Sequence, residues 1–175
     1  DRRYPRYLPS NPEKVFAAIY TLKESGWLRG NVFCEWGSGF GIATCMASMI
    51  GFEAYGIEIE DGLVELSTKL AKDLNITVEY LCTSYLPEGY EECDGIGGKD
   101  LLPPQATTSG GAKIDTTPTY DGLDPDEIDL YFVYPWPGQE EFMMDLFDEV
   151  ASEDAILLIY QADGETTAHR RSFDD

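Results

Sequence analysis

Apolar positions along the chain switch between a period near 3.6 and a period of 2, and that switching predicts the elements. Ser10-Asn11-Pro12-Glu13 reads as a helix start, with capping-box spacing from Ser10 to Glu13 and a proline tolerated in the first turn. Val15, Phe16, Ile19 and Leu22 then form an apolar stripe that ends near Gly26. Asn31 to Trp36 reads as a strand. After a glycine-rich turn, Ile42, Cys45, Met46 and Met49 share one helical face. Phe52 to Ile59 is a second strand. Asp61 or Gly62 opens a helix with Leu63, Leu66, Leu70 and Leu74 inward, and Ile76 to Leu81 is a third strand. Further on come a strand at Ile128 to Tyr134, a helix over Gln139 to Val150 and a buried strand at Ala155 to Tyr160. In that helix Phe142, Met143, Leu146, Phe147 and Val150 are expected to face inward.

Strands alternating with helices predict an α/β fold, a parallel sheet of about five strands with helices on both faces. Such sheets bind ligands beyond the carboxyl ends of their strands, where the strand order reverses. Those ends carry Trp36-Gly37, Glu58-Ile59, Thr83-Ser84 and Tyr134-Pro135, which are therefore expected on one rim. Periodicity lapses from Glu88 to Glu127, a stretch with seven glycines and four prolines. So long a connection reads as a loop insertion, either a substrate-facing flap or a partly disordered segment. The 175 residues otherwise suit one domain, 1–175.

The chemistry is concentrated in N-V-F-C-E-W-G-S-G-F-G-I-A-T-C-M, from Asn31 to Met46, and in Y-G-I-E-I-E, from Tyr55 to Glu60. Gly37, Gly39 and Gly41 let the backbone turn tightly and leave no Cβ in the way of a ligand. The helix that follows offers unpaired N–H groups to that ligand. Glu58 ends the second strand, where such folds grip the two hydroxyls of a ribose. A dinucleotide fingerprint, G-x-G-x-x-G, needs its third glycine at position 42, which is Ile42. An acid beside the loop, Glu35, is badly placed for a pyrophosphate and well placed for an ammonium or sulfonium group.

The E-x-G-x-G-x-G arrangement, answered by Glu58, resembles motif I and the second-strand acid of the class I methyltransferases, over roughly Ser10 to Gln161. The resemblance implies a Rossmann-like fold that binds S-adenosylmethionine. It implies that Glu35 addresses the methionine ammonium, that Gly37, Ser38, Gly39 and Gly41 line the methionine part, and that Glu58 takes the ribose. Ile59 would pack on the adenine, with Ser84 beside it. Tyr134, Pro135 and Trp136 lie where amine-directed members carry an Asn or Asp, two prolines and an aromatic residue, so the catalytic end is expected there. Tyr7-Leu8-Pro9-Ser10 before the first helix looks like the closing segment of small protein-lysine methyltransferases. The full family fold ends in a β-hairpin. Gln161 to Asp175 looks too polar to supply it, so that hairpin is expected to be missing and a sheet edge exposed.

Charge narrows the partners. Thirty-three acidic residues against twelve basic ones give a net charge of −21. A field of that sign repels phosphate backbones and attracts a basic peptide, protein or amine, so a nucleic-acid substrate is not expected. No apolar run approaches the roughly 20 residues that span a bilayer, and D-R-R-Y-P-R is not followed by the apolar region of a signal peptide. Four cysteines without a C-x-x-C pair, and one histidine, predict reduced thiols in a cytoplasmic protein and no metal site. Two other readings stand beside methyl transfer: a nicotinamide-dependent oxidoreductase, and a module that binds S-adenosylmethionine without catalysis.

Overall fold

The computed structural model describes residues 9–87, 91–95, 98–102 and 118–171, and for 91–95 and 98–102 it describes the backbone. Helix α1 is Pro12–Ser25, followed by β1 (Val32–Trp36), α2 (Ile42–Met49), β2 (Glu53–Glu58), α3 (Asp61–Asp73) and β3 (Glu79–Cys82). A separate antiparallel pair, β4 (Glu91–Gly95) and β5 (Gly98–Leu102), precedes a 3-10 turn at Pro125–Glu127. Then come β6 (Leu130–Val133), α4 (Glu140–Val150), β7 (Ile156–Tyr160) and β8 (Thr166–Arg170).

The main sheet has the order β3-β2-β1-β6-β7-β8, with all neighbours parallel except the antiparallel β7–β8 pair. From β1 the chain steps outward through β2 to β3, then returns to β6 on the other side of β1 and steps to β7. Right-handed crossovers therefore put α2 and α3 on one face and α4 on the other. The packing agrees. Val15, Ile19, Leu22, Ala43 and Ala47 meet Phe33, Phe132 and Leu158 on one face. On the other, Met143, Leu146 and Phe147 meet Tyr131, Val133 and Leu157. The reversal of strand order falls between β1 and β6, so the sheet's ligand crevice opens above Trp36 and Val133.

Several sequence expectations need correcting. The N-cap of α1 is Asn11, not Ser10: its side chain accepts from the N–H groups of Glu13 and Lys14 at 3.0 and 3.2 Å, and Pro12 occupies the first turn. Phe16 lies outside the buried stripe and stacks on Tyr20. In α2 the buried side chains are Ala43, Thr44, Cys45 and Ala47, while Ile42 and Met49 are exposed. Small residues on the inner face let this helix lie close to the strands, and the larger apolar ones are left outside. Helix α3 repeats the pattern, burying Leu63, Ser67 and Ala71 and exposing Leu66 and Leu74.

The sheet also has a sixth strand where none was expected. Thr166–Arg170 is polar, yet backbone pairing with β7 asks nothing of side chains, and an edge strand tolerates solvent on its open sides. Asp163-Gly164 makes the turn, with Gly164 at φ 83° and the Asp163 carboxylate accepting from the Glu165 N–H. Of the stretch 88–127 expected as an insertion, residues 88–90, 96–97 and 103–117 lie outside the described residues. Its last part packs into the core: Tyr120 is fully buried and Leu123 nearly so, against the face that also holds Trp36 and Tyr131. Tyr7 and Leu8 of the expected closing segment also lie outside the described residues.

Candidate functional site

The loop between β1 and α2 is built by three glycines in the left-handed region, Gly37, Gly39 and Gly41, at φ 69°, 54° and 70°. They serve different ends. A Cβ on Gly37 would meet only the Tyr85 ring, at 4.0 Å, so that side of the loop is open. A Cβ on Gly41 would lie 2.2 Å from the Tyr80 hydroxyl, so this glycine makes room for the protein itself. Tyr80 uses the space to donate to the Gly41 carbonyl at 2.8 Å. The loop is tied down by the Ser38 N–H donating to the Ile57 carbonyl at 2.9 Å and the Gly41 N–H donating to the Ser38 carbonyl at 2.7 Å.

Glu35 and Glu58 flank this loop from adjacent strands, and both are buried. Glu58 accepts from the Gly39 N–H on Oε2 at 2.9 Å and from the Glu60 N–H on Oε1 at 3.0 Å. Those bonds fix its carboxylate against the loop, and a carboxylate has further lone pairs for a ligand's hydroxyls. Glu35 accepts on a single oxygen, Oε2, from both the Thr44 N–H at 2.9 Å and the Thr44 hydroxyl at 2.6 Å. Helix α2 has no side-chain cap at Gly41, so Glu35 caps it from the neighbouring strand. Burial pushes the Glu35 carboxyl up to about 8; the Thr44 bonds oppose this and the nearby Glu58 adds to it. Among the described residues no lysine or arginine pairs with either acid.

Two more features fit an adenosyl ligand with a cationic end. The Ser38 hydroxyl is buried in the loop without a hydrogen-bond partner among the described residues, leaving a polar atom for a ligand to satisfy. Ile59 is 64% exposed directly after Glu58, an apolar face beside that carboxylate. At the end of β3, the Ser84 hydroxyl accepts from the Leu86 N–H at 3.1 Å and so shapes its own turn.

The far side of the crevice is aromatic. Tyr134 is half-buried at the end of β6, its ring edge-on to Tyr160 at 4.9 Å. The Tyr160 hydroxyl in turn accepts from the Asn11 N–H at 3.1 Å, so the start of α1 is tied to this rim. Pro135 is buried and Trp136 half-buried; the Trp136 carbonyl accepts from Gln139 and leads the chain into α4. Tyr85 stacks on Trp36 at 5.6 Å, above the β1 end. Sequence reasoning missed Thr44, Gly56, Tyr80, Tyr85 and Tyr160. Gly56 had a readable signal, a glycine inside a strand: a Cβ there would meet Tyr80 at 2.7 Å and Ser38 at 2.9 Å.

No protein-family model and no curated protein sequence matches the chain. Solved structures do. An RNA methyltransferase from Salinibacter ruber in complex with S-adenosyl-L-homocysteine aligns with a TM-score of 0.56 at 18% identity, over 87% of this chain and 76% of that one. A SAM-dependent methyltransferase from Thiobacillus denitrificans, also with S-adenosyl-L-homocysteine, aligns at 0.53 and 16%, over 87% of this chain and 49% of that one. A precorrin-6y C5,15-methyltransferase from Geobacter metallireducens aligns at 0.51 and 14%, covering 90% and 66%. The chain thus spans about half to three quarters of the length of these structures. At such identities the likeness speaks to architecture: the chain has the Rossmann-like fold found in S-adenosylmethionine-dependent methyltransferases.

Proposed function

We propose that this chain binds S-adenosylmethionine and catalyses methyl transfer, with an amine nitrogen of a basic peptide, protein or small amine as acceptor. One observation carries the cofactor reading. Two buried carboxylates, neither with a basic partner among the described residues, flank a loop of left-handed glycines at the point where the strand order reverses. A pyrophosphate would meet the Glu58 carboxylate and offer Glu35 no counter-charge, whereas an ammonium and a sulfonium would be matched by Glu58 and by Glu35 once it gives up its proton. The solved structures named above support this, since two of them hold the demethylated cofactor.

When bound, S-adenosylmethionine supplies an electrophilic methyl group. The residues of this chain then have to hold, align and exclude water. Glu58, anchored by Gly39 and Glu60, grips the ribose end, and Glu35 holds the ammonium end. The aromatic rim of Tyr134, Trp136 and Tyr160 receives the acceptor and favours a cation by contact with ring faces, worth about 0.5–2 kcal/mol. An acceptor ammonium must lose a proton before its lone pair can attack. Tyr134, half-buried at the end of β6, is the polar group beside which that proton passes to solvent water.

The net charge of −21 supports a cationic acceptor. Methylation of a basic peptide, followed by mass spectrometry, is expected to slow between low and high salt through its association rate. Trp136→Ala is expected to add a loss that salt does not change. Methylation of a neutral hydroxylated compound or of RNA, with no turnover on any basic peptide, would overturn the acceptor class and leave methyl transfer standing.

A further inference from the structure

The bonding of Glu35 is lopsided, and the asymmetry has a consequence. Both Thr44 donors converge on Oε2, occupying its two lone-pair directions, while Oε1 has no partner among the described residues. Thr44 is itself fully buried, so its hydroxyl is committed to this bond. The ionisable neighbours of Glu35 are Glu58 on β2, Cys34 on β1, Cys45 on α2 and Tyr80 on β3. Across the β6 side it is paired with Phe132. None of these supplies positive charge. A buried carboxylate beside a second one, with no cation, holds a proton in preference to a charge. Since Oε2 is taken, Oε1 carries that proton, on the oxygen left for a ligand.

Resting on the cofactor reading above, we propose that Thr44 is a positioning residue that turns Oε1 of Glu35 toward the incoming ammonium, so that cofactor capture is coupled to loss of the Glu35 proton. The Glu35 O–H bond breaks heterolytically, the electron pair stays on the carboxylate, and the proton passes to solvent as the cation takes its place. Binding is then a charge exchange inside a buried site. The price of a buried anion is never incurred without its counter-charge.

Calorimetric titration of S-adenosylmethionine in phosphate and in Tris separates proton transfer from binding, because the two buffers take up protons with different heats. The ligand's own amino group titrates near pH 8, so the Glu35 proton is read as the difference between wild type and Glu35→Gln. With Glu35 ionising near 8, that difference is expected to be about 0.9 proton at pH 7. Thr44→Val keeps the shape and removes the hydroxyl. If this raises Glu35 by about one further unit, apparent affinity relative to wild type falls about tenfold at pH 7 and only about twofold at pH 9. Thr44→Ser should restore both values.

A Thr44→Val loss that is equal at all pH values, or is not rescued by serine, would make Thr44 merely structural and overturn the proposal. So would wild-type binding with the same proton release as Glu35→Gln, a measurement that stands even if the valine variant fails to fold. Absence of S-adenosylmethionine binding altogether would overturn the cofactor reading, and this inference with it.

Discussion

Glu35→Gln should make the unliganded protein more stable while weakening its hold on the cofactor. Glutamine keeps an acceptor oxygen for the two Thr44 donors and removes the charge. The magnitude follows from linkage. In the folded chain Glu35 ionises near 8, against an ordinary value of 4.5. Between those pH values the native state holds a proton that the unfolded state has lost. Stability contributed by Glu35 is therefore complete below about 4.5 and falls as pH rises, by about 1.4 kcal/mol per unit, levelling off above 8. Relaxation and water entry reduce the total, which is of order 3–5 kcal/mol. Urea unfolding of wild type and Glu35→Gln at pH 5, 6, 7, 8 and 9 isolates this contribution, because every other titrating group is shared. The variant should lead by about 0.8 kcal/mol at pH 5 and increasingly up to pH 8. A stability difference that does not change with pH, or one favouring wild type at pH 8, would refute the reasoning.

Glu58→Ala should weaken S-adenosylmethionine binding by about 1.5–3 kcal/mol in a calorimetric titration, since charge-assisted bonds to the ribose are lost; unchanged affinity would remove Glu58 from the site. Gly41→Ala places a Cβ into the Tyr80 hydroxyl at a φ of 70° and should cost at least about 1–2 kcal/mol in urea unfolding, more than Gly37→Ala, where the left-handed φ of 69° is the same but no clash is added. Tyr120→Ala should cost about 3–5 kcal/mol, as for other large buried aromatics, and a near-neutral result would detach residues 118–123 from the core.

Much of this architecture is legible in the sequence because periodicity reports on which faces are buried. β6 and β7 are continuous apolar runs, β1 and β2 are mainly buried stretches interrupted by Glu35 and Gly56, and each of the four lies within a residue or two of its expected limits. The reading fails where burial and hydrophobicity part company. Helices α2 and α3 approach the sheet through Ala43, Thr44, Ala47, Ser67 and Ala71, so their largest apolar residues mark the wrong face. Strand β8 is held by backbone bonds, which leave no hydrophobic trace; only the Asp163-Gly164 turn announces it. Tyr120 is an isolated aromatic in a stretch without periodicity, and a single residue sets no period. In the site, the glycines and the two acids stand out because backbone turns and charge are properties of residue type. The partners Thr44, Tyr80 and Tyr160 reach the site through tertiary contacts from α2, β3 and β7, which no local spacing encodes.

Two buried acidic side chains without a cation among the described residues, Glu58 and a Glu35 that ionises on binding, select a cationic adenosyl ligand. Titrating the protein at pH 7.5 with S-adenosylmethionine, S-adenosylhomocysteine and a nicotinamide dinucleotide tests that selection directly, with Glu58→Ala as the site control. S-adenosylmethionine and S-adenosylhomocysteine are predicted to bind with one site each, weakened together by Glu58→Ala, and the dinucleotide not to bind. Saturable binding of the dinucleotide, weakened by Glu58→Ala, with no binding of S-adenosylmethionine, would contradict the account.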